Sequence, residues 1–148
     1  MAHEWKRGQY IISTDPRRLD LETIHGFLVR SYWAEGVPRE VVARALEHSL
    51  CFGLFDAARQ IGFARLITDR AVFALIADVF VLEPWRGQGL GKWLVETMAA
   101  APELQGLRRW MLLTNDAHGL YRRVGFTALA HPERVMEKVD LDAYRRPR

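Results

Sequence analysis

A strand, a glycine-rich turn and a helix follow one another without interruption between Asp78 and Ala101, and this succession limits the folds open to the chain more than any other stretch. After Asp78 the residues through Leu82 are all aliphatic or aromatic. Glu83-Pro84 stops the run, and Arg86-Gly87-Gln88-Gly89-Leu90-Gly91 leads directly into a helical pattern. There Leu90, Trp93, Leu94, Thr97, Met98 and Ala101 share one face, a stripe suited to packing on a sheet. Glycines let the backbone aim several N–H groups at one point, and a helix start adds unpaired donors and the positive end of its dipole. Such a corner suits a phosphate group.

Three glycine-loop patterns compete for it. The ATP-binding pattern G-x-x-x-x-G-K-[ST] fits poorly, because Gly87 to Gly91 is one spacer short and Trp93 stands where a hydroxyl is needed. The dinucleotide pattern G-x-G-x-x-G fails too: the spacing here is G-x-G-x-G, and no acid follows at a position to hold a ribose. R-x-x-G-x-G does fit, through Arg86, Gly89 and Gly91. It resembles the acyl-CoA pyrophosphate loop of the GNAT acetyltransferase superfamily, and Val81-Leu82-Glu83-Pro84-Trp85-Arg86 resembles that family's approach to the loop. A second stretch, Asn115-Asp116-Ala117-His118-Gly119-Leu120-Tyr121-Arg122-Arg123-Val124-Gly125-Phe126, is similar to the family's N-x-x-A-x-x-x-Y-x-x-x-G-F pattern, with Ala117 one position early. The two motifs come in the family's order and cover roughly the second half of the chain.

The resemblance implies an α/β fold of the α+β kind: a central mixed, mostly antiparallel twisted sheet of about seven strands flanked by about four helices. It implies acetyl-CoA as co-substrate, no metal, and direct transfer of the acetyl group to a primary amine in a ternary complex. A small-molecule amine is the expected acceptor. Acetylation of a protein N-terminus or lysine, or an acyl-CoA-binding sensor without turnover, are the competing readings. On this likeness the backbone of Arg86, Gly87, Gln88, Gly89, Leu90 and Gly91 holds the pyrophosphate, with Lys92 close by in the first helical turn. Val79, Phe80 and Val81 offer strand backbone to the pantetheine arm where their strand splays from its neighbour. Asn115 organises the same end of the cofactor site, or else caps the next helix. Tyr121 matches the family's tyrosine near the sulfur and is the expected general acid. A phenol with a pKa of about 10 stays protonated at neutral pH and can donate to a thiolate whose own pKa is about 8.5. The other reading of Tyr121 is a packing residue beside Leu120 and Phe126.

Asp78 interrupts the apolar strand Ala74-Leu75-Ile76-Ala77-Asp78-Val79-Phe80-Val81, where a buried unpaired carboxylate would be costly. By alternation it shares a face with Ile76 and Phe80. Polyamine and related acetyltransferases are similar in carrying acids at this part of the strand. Asp78 is therefore expected to hold the cationic acceptor or take its proton; the alternative is a carboxylate satisfied by a neighbouring arginine or backbone N–H. Tyr32 and Trp33, just past a helix end and before Gly36, are either a cap on the core or one wall of the acceptor pocket.

The remaining expectations concern the whole chain. With 148 residues, 49% of them hydrophobic, it can build one core, read as one domain over residues 1–148. No apolar run approaches the roughly 20 residues that span a bilayer, and the start MAHEWKRGQY lacks a signal-peptide stretch, so a cytoplasmic protein without a membrane partner is expected. The net charge of +3 is spread over scattered arginine pairs rather than one basic stripe, which argues against nucleic acid. Cys51 is the only cysteine and reads as a buried strand residue. The five histidines are too scattered to suggest a metal site.

In order, Gln9 to Thr14 reads as a first strand, and Asp20 caps a helix from Leu21 to about Ser31. Pro38 opens a second helix to about His48. Leu50 to Phe55 and Gln60 to Thr68 form a hairpin, followed by a strand from Val72 to Leu82. Past the loop and its helix come a strand from Arg109 to Thr114 and a short helix from about Ala117 to Val124. Phe126 to Ala130 and Arg134 to Val139 read as closing strands, and residues 140–148 as a polar tail. Exposed closing strands make a homodimer an expectation in this family.

Overall fold

The computed structural model describes residues 1–147. Six strands form one sheet: β1 (Glu4–Arg7), β2 (Tyr10–Ser13), β3 (Leu50–Asp56), β4 (Arg59–Thr68), β5 (Phe73–Val81) and β6 (Arg109–Leu112). Their spatial order is their chain order. Every neighbouring pair is antiparallel except β5 and β6, which run parallel. Short turns join β1 to β2, β3 to β4 and β4 to β5, a two-helix segment joins the antiparallel β2 and β3, and the parallel pair needs a crossover, supplied by the helix α3 (Leu90–Ala99). The mixed, mostly antiparallel sheet is the one expected, with six strands instead of about seven.

Three further helices complete the fold: α1 (Leu21–Leu28), α2 (Arg39–Glu47) and α4 (His118–Arg122). Asp20 caps α1 as its sequence position suggests, accepting from the N–H groups of Glu22 and Thr23. Pro38 stands at the N-cap of α2, where a missing N–H costs nothing. One face of the sheet carries α1 and α2 over a cluster of Ile24, Leu28, Val42, Cys51, Phe63 and Phe80. The other carries α3 over Phe52, Leu54, Leu66, Leu94 and Met98, with Tyr121 at its margin. Among the described residues, no helix is long and apolar enough to cross a membrane.

Two expectations are corrected at the ends of the chain. Glu4–Arg7 is a strand that the sequence hides, because three of its four residues are exposed and charge masks the alternation. Neither Phe126 to Ala130 nor Arg134 to Val139 forms a strand; that span carries only a 3-10 turn, Pro132–Arg134. A strand needs a paired ladder and a buried face, and here Leu129, Val135, Met136 and Val139 are exposed.

A third correction lies inside β5. Arg65 pairs with Asp78 but Leu66 pairs with Ile76, so Ala77 has no partner and β5 bulges there. Simple alternation would put Ile76, Asp78 and Phe80 on one face. The extra residue reverses the faces instead: Ile76 packs in the α3 cluster and Phe80 in the α1/α2 cluster. Asp78 accordingly points to the α1/α2 side, where its partners Trp33 and Arg65 lie.

Candidate active site

β6 pairs with β5 only from Phe73 to Ile76, whereas β4 accompanies β5 all the way to Val81. From Ala77 to Val81 the edge of β5 that faces β6 therefore has no strand partner, and of its carbonyls that of Val81 accepts from the Arg86 side chain. The bulge marks the point where the two strands part. Val79 and Val81 turn their side chains to the α3 cluster, and Phe80 stacks on Phe27 with centroids 4.0 Å apart. With both faces packed, the unpaired backbone is what this segment offers to a partner.

Beyond Val81 a short 3-10 turn, Glu83–Trp85, carries the chain into the glycine loop. Arg86 donates from Nε to the Val81 carbonyl oxygen at 2.8 Å, so its side chain fastens the loop to the end of β5. Gln88 braces the loop further: its Nε2 donates to the Trp85 carbonyl oxygen, and its Oε1 accepts from the Tyr10 hydroxyl, both at 3.1 Å. Gly87 and Gly89 lie at φ of +84° and +80°, a region that side chains with a Cβ rarely adopt, and nothing lies within 4 Å of where a Cβ would be. Gly91 has no such backbone demand, and a Cβ there would make ordinary contact with Val81 Cγ2 at 3.8 Å. No side chain caps α3 and no acid occupies its first turn, which leaves N–H donors without side-chain partners. Leu90 is buried as the first inward residue of α3. Lys92 is 3.8 Å from Glu96 along the helix.

The link between α1 and α2 crosses to the parted strands. Trp33 donates from Nε1 to Asp78 Oδ1 at 2.8 Å, and the Tyr32 hydroxyl accepts from the Asn115 N–H at 3.1 Å. The two rings meet edge to face, centroids 5.1 Å apart. Asp78, Trp33, Tyr32 and Asn115 thus form one connected set, in which Asn115 takes part through its backbone.

Asp78 is only 5% exposed. Its second oxygen accepts from Arg65 Nε at 2.6 Å, and Arg65 Nη1 donates to the Ser49 hydroxyl at 3.0 Å. Arg65 is the site residue that the sequence reading missed. Its signal was the same as that of Asp78: one charge within an apolar run, here Ile61 to Ile67, and two such charges on successive strands invite pairing. A carboxylate has about four lone-pair directions, so these two donors leave room for another.

Tyr121 is 7% exposed, set edge to face against Phe126 with centroids 5.8 Å apart. Burial, with smaller contributions from Tyr32 and Asp116, pushes its phenol up to about 12. The proton therefore stays on the oxygen throughout the neutral range. Burial also pushes the Cys51 thiol up to about 12, which keeps it from acting as a nucleophile.

A strand edge left by β6 thus runs through a positive-φ glycine loop into a helix without a side-chain cap. The family model described as acetyltransferase (GNAT) domain matches residues 47–128, more than half of the chain. The chain belongs to the GNAT family. A solved Xanthomonas campestris pv. campestris protein, described as an acetyltransferase of the gnat family, is similar at 46% identity and a TM-score of 0.90, over 94% of this chain and 99% of that one. A Gibberella zeae protein named as an acetyltransferase is 34% identical over 140 residues, 79% of this chain and 78% of its own length. The chloroplastic serotonin N-acetyltransferase 2 of Oryza sativa subsp. japonica is 35% identical over 100 residues, 62% of this chain and 50% of that protein. GNAT membership accounts for the acetyltransferase class and for the sheet with its parted strands.

Proposed function

We propose that this GNAT protein transfers the acetyl group of acetyl-CoA to the primary amine of a small molecule. The observation that carries the reading is the parting of β5 and β6 beside the glycine loop, with Trp33 bonded to Asp78 and Tyr32 to the Asn115 backbone. The free edge of β5 from Ala77 to Val81 would hold the pantetheine arm, and the N–H groups from Gly87 to Gly91 the pyrophosphate. Acetyl-CoA supplies the activated acetyl group as a thioester. Asp78, fixed by Trp33 and Arg65, keeps acceptor capacity for the ammonium of the incoming amine and would take its proton, directly or through water. Tyr121, held protonated by burial, donates towards the departing thiolate.

The stitched α1–α2 link favours a small acceptor over a protein. Tyr32 reaches the Asn115 backbone and Trp33 reaches Asp78, so the link bridges the acceptor side and narrows it. Thiol release from acetyl-CoA should be measured with a panel of amines, amino acids and a lysine peptide. Release is expected only with primary amines of low molecular mass. Gly89→Asp, placed at positive φ where the phosphates would sit, should abolish acetyl-CoA binding in calorimetry while the protein stays folded. Tight acetyl-CoA binding with no release for any acceptor would replace this reading with that of a sensor.

A further inference from the structure

The C-terminal segment has no motif, yet it brings a side chain to the acceptor side of the site. It turns through a 3-10 turn, Ala143–Arg145, and Tyr144 from that turn lines a cavity of about 150 Å³ together with Trp33, Arg65, Ala77 and Asp78. Tyr144 keeps 38% of its surface exposed, so the rest of the ring is covered. The turn is tied by its own charges. The Asp140 carboxylate accepts from the Arg146 guanidinium and from the Asp142 N–H, and Arg145 Nη1 donates to Asp142 Oδ1 at 3.2 Å. Each exposed pair is weak alone, but together they close the span from Asp140 to Arg146 into one loop with Tyr144 inside it. The Arg146 guanidinium holds the Asp140 carboxyl below the usual carboxylate range.

The rest of the cavity wall is aliphatic, from Leu28, Val37, Val41, Val42, Ala45 and Leu46. Its size decides what it can take. A cavity of about 150 Å³ admits benzene, so this one, lined by aliphatic residues and by Asp78 and Arg65, has room for one ring or a branched chain of similar bulk. Asp78, in the same wall, gives that space a polar group where an ammonium can be met.

We propose that Tyr144 is a specificity-determining residue: it forms part of the wall of the ring-sized, half-open cavity beside Asp78 and selects primary amines that carry one aromatic or branched aliphatic substituent. The proposal rests on the acetyl-transfer reading for its amine, whereas the cavity and its lining by Tyr144 stand apart from turnover.

The test uses the full chain with 2-phenylethylamine and ethylamine as probes, comparing wild type, Tyr144→Phe and Tyr144→Ala. Acetyl transfer is read by thiol release and amine binding by calorimetry in the presence of CoA. Wild type should prefer phenylethylamine. Tyr144→Ala should lower that preference about tenfold, the scale of one lost aromatic contact, with acetyl-CoA affinity kept. Tyr144→Phe should restore the preference, because the ring and not the hydroxyl lines the cavity. If no amine is acetylated but phenylethylamine binds and Tyr144→Ala weakens it, the pocket stands and the transfer reading falls. If both amines are acetylated and Tyr144→Ala leaves their ratio unchanged, the proposal is overturned and the transfer reading stands. Equal binding of the two amines by wild type overturns it as well.

Discussion

Asp78 and Tyr121 are buried to nearly the same degree, on opposite faces of the parted end of the sheet, but they are kept there by opposite means. Asp78 has a directed donor for each oxygen, Trp33 and Arg65. Tyr121 has packing instead, and burial leads the causes that raise its pKa. A buried group stays charged when partners replace water, and a weak acid stays neutral when nothing stabilises its anion. One arrangement keeps a carboxylate ready to meet a cation; the other keeps a proton available. The contrast also says how each position should fail: loss of a partner around Asp78 is felt by the fold, whereas loss of the Tyr121 hydroxyl is felt by the chemistry.

The largest expected effect follows from separating the ion pair. Arg65→Met leaves the Asp78 carboxylate buried beside a single tryptophan N–H, and removal of one partner from a buried pair typically costs about 3–5 kcal/mol. The double replacement Arg65→Met with Asp78→Leu should recover most of that loss, since no charge then remains to be solvated. Denaturant titrations of the single and double variants measure both. A single variant no less stable than the double one would mean that Asp78 is not held as a buried charge, and the comparison with Tyr121 would lose its basis.

How much of this was legible in the sequence depends on whether a signal is local. The passage from β5 through the loop into α3 was readable because Pro84 and three glycines punctuate it and the stripe from Leu90 to Met98 has the helical period. Asp20 as a cap was readable for the same reason. Alternation, by contrast, carries no mark of where it skips, so the bulge at Ala77 and the face reversal of Ile76 against Phe80 were hidden. The expected closing strands, Phe126 to Ala130 and Arg134 to Val139, had strand-like residues but lack the ladder that residue type cannot promise. In the site, Asp78, Tyr121, Tyr32 and Trp33 were each singled out by motif or by oddity in an apolar context, and the structure links Asp78 to Trp33 and Trp33 to Tyr32. Arg65 could have been found as the second charge in an apolar run. Tyr144 could not: its approach to Asp78 depends on where a segment without periodicity comes to lie.

Tyr121→Phe should show the reverse of the Arg65 pattern. General acid catalysis by a positioned side chain contributes about 10²–10⁴-fold, so kcat should fall about a hundredfold or more, equivalent to about 2.7 kcal/mol at the lower limit. The phenyl ring keeps the contact with Phe126, so the melting temperature and acetyl-CoA affinity should scarcely change. A comparable loss of stability and of rate would make Tyr121 a packing residue and sink its role as acid.

The smallest effect is a dependence on alkaline pH, and its sign follows from the direction of the shift. An unfolded tyrosine titrates near 10, whereas burial pushes Tyr121 in the folded chain up to about 12. The folded state therefore holds this proton more tightly. Its contribution to stability is complete below about pH 10 and is lost as pH rises towards about 12. Between pH 9 and 11, wild type should lose more denaturant resistance than Tyr121→Phe, and the titration of the other tyrosines cancels in that difference. Over the same range the rate should show no falling limb assignable to Tyr121, since its proton remains in place until about pH 11. A limb near pH 10 that is present in wild type and absent from the residual activity of Tyr121→Phe would mean that water reaches the phenol. Tyr121 would then be an exposed acid rather than one kept neutral by burial, and its difference from Asp78 would reduce to the presence or absence of a charged partner.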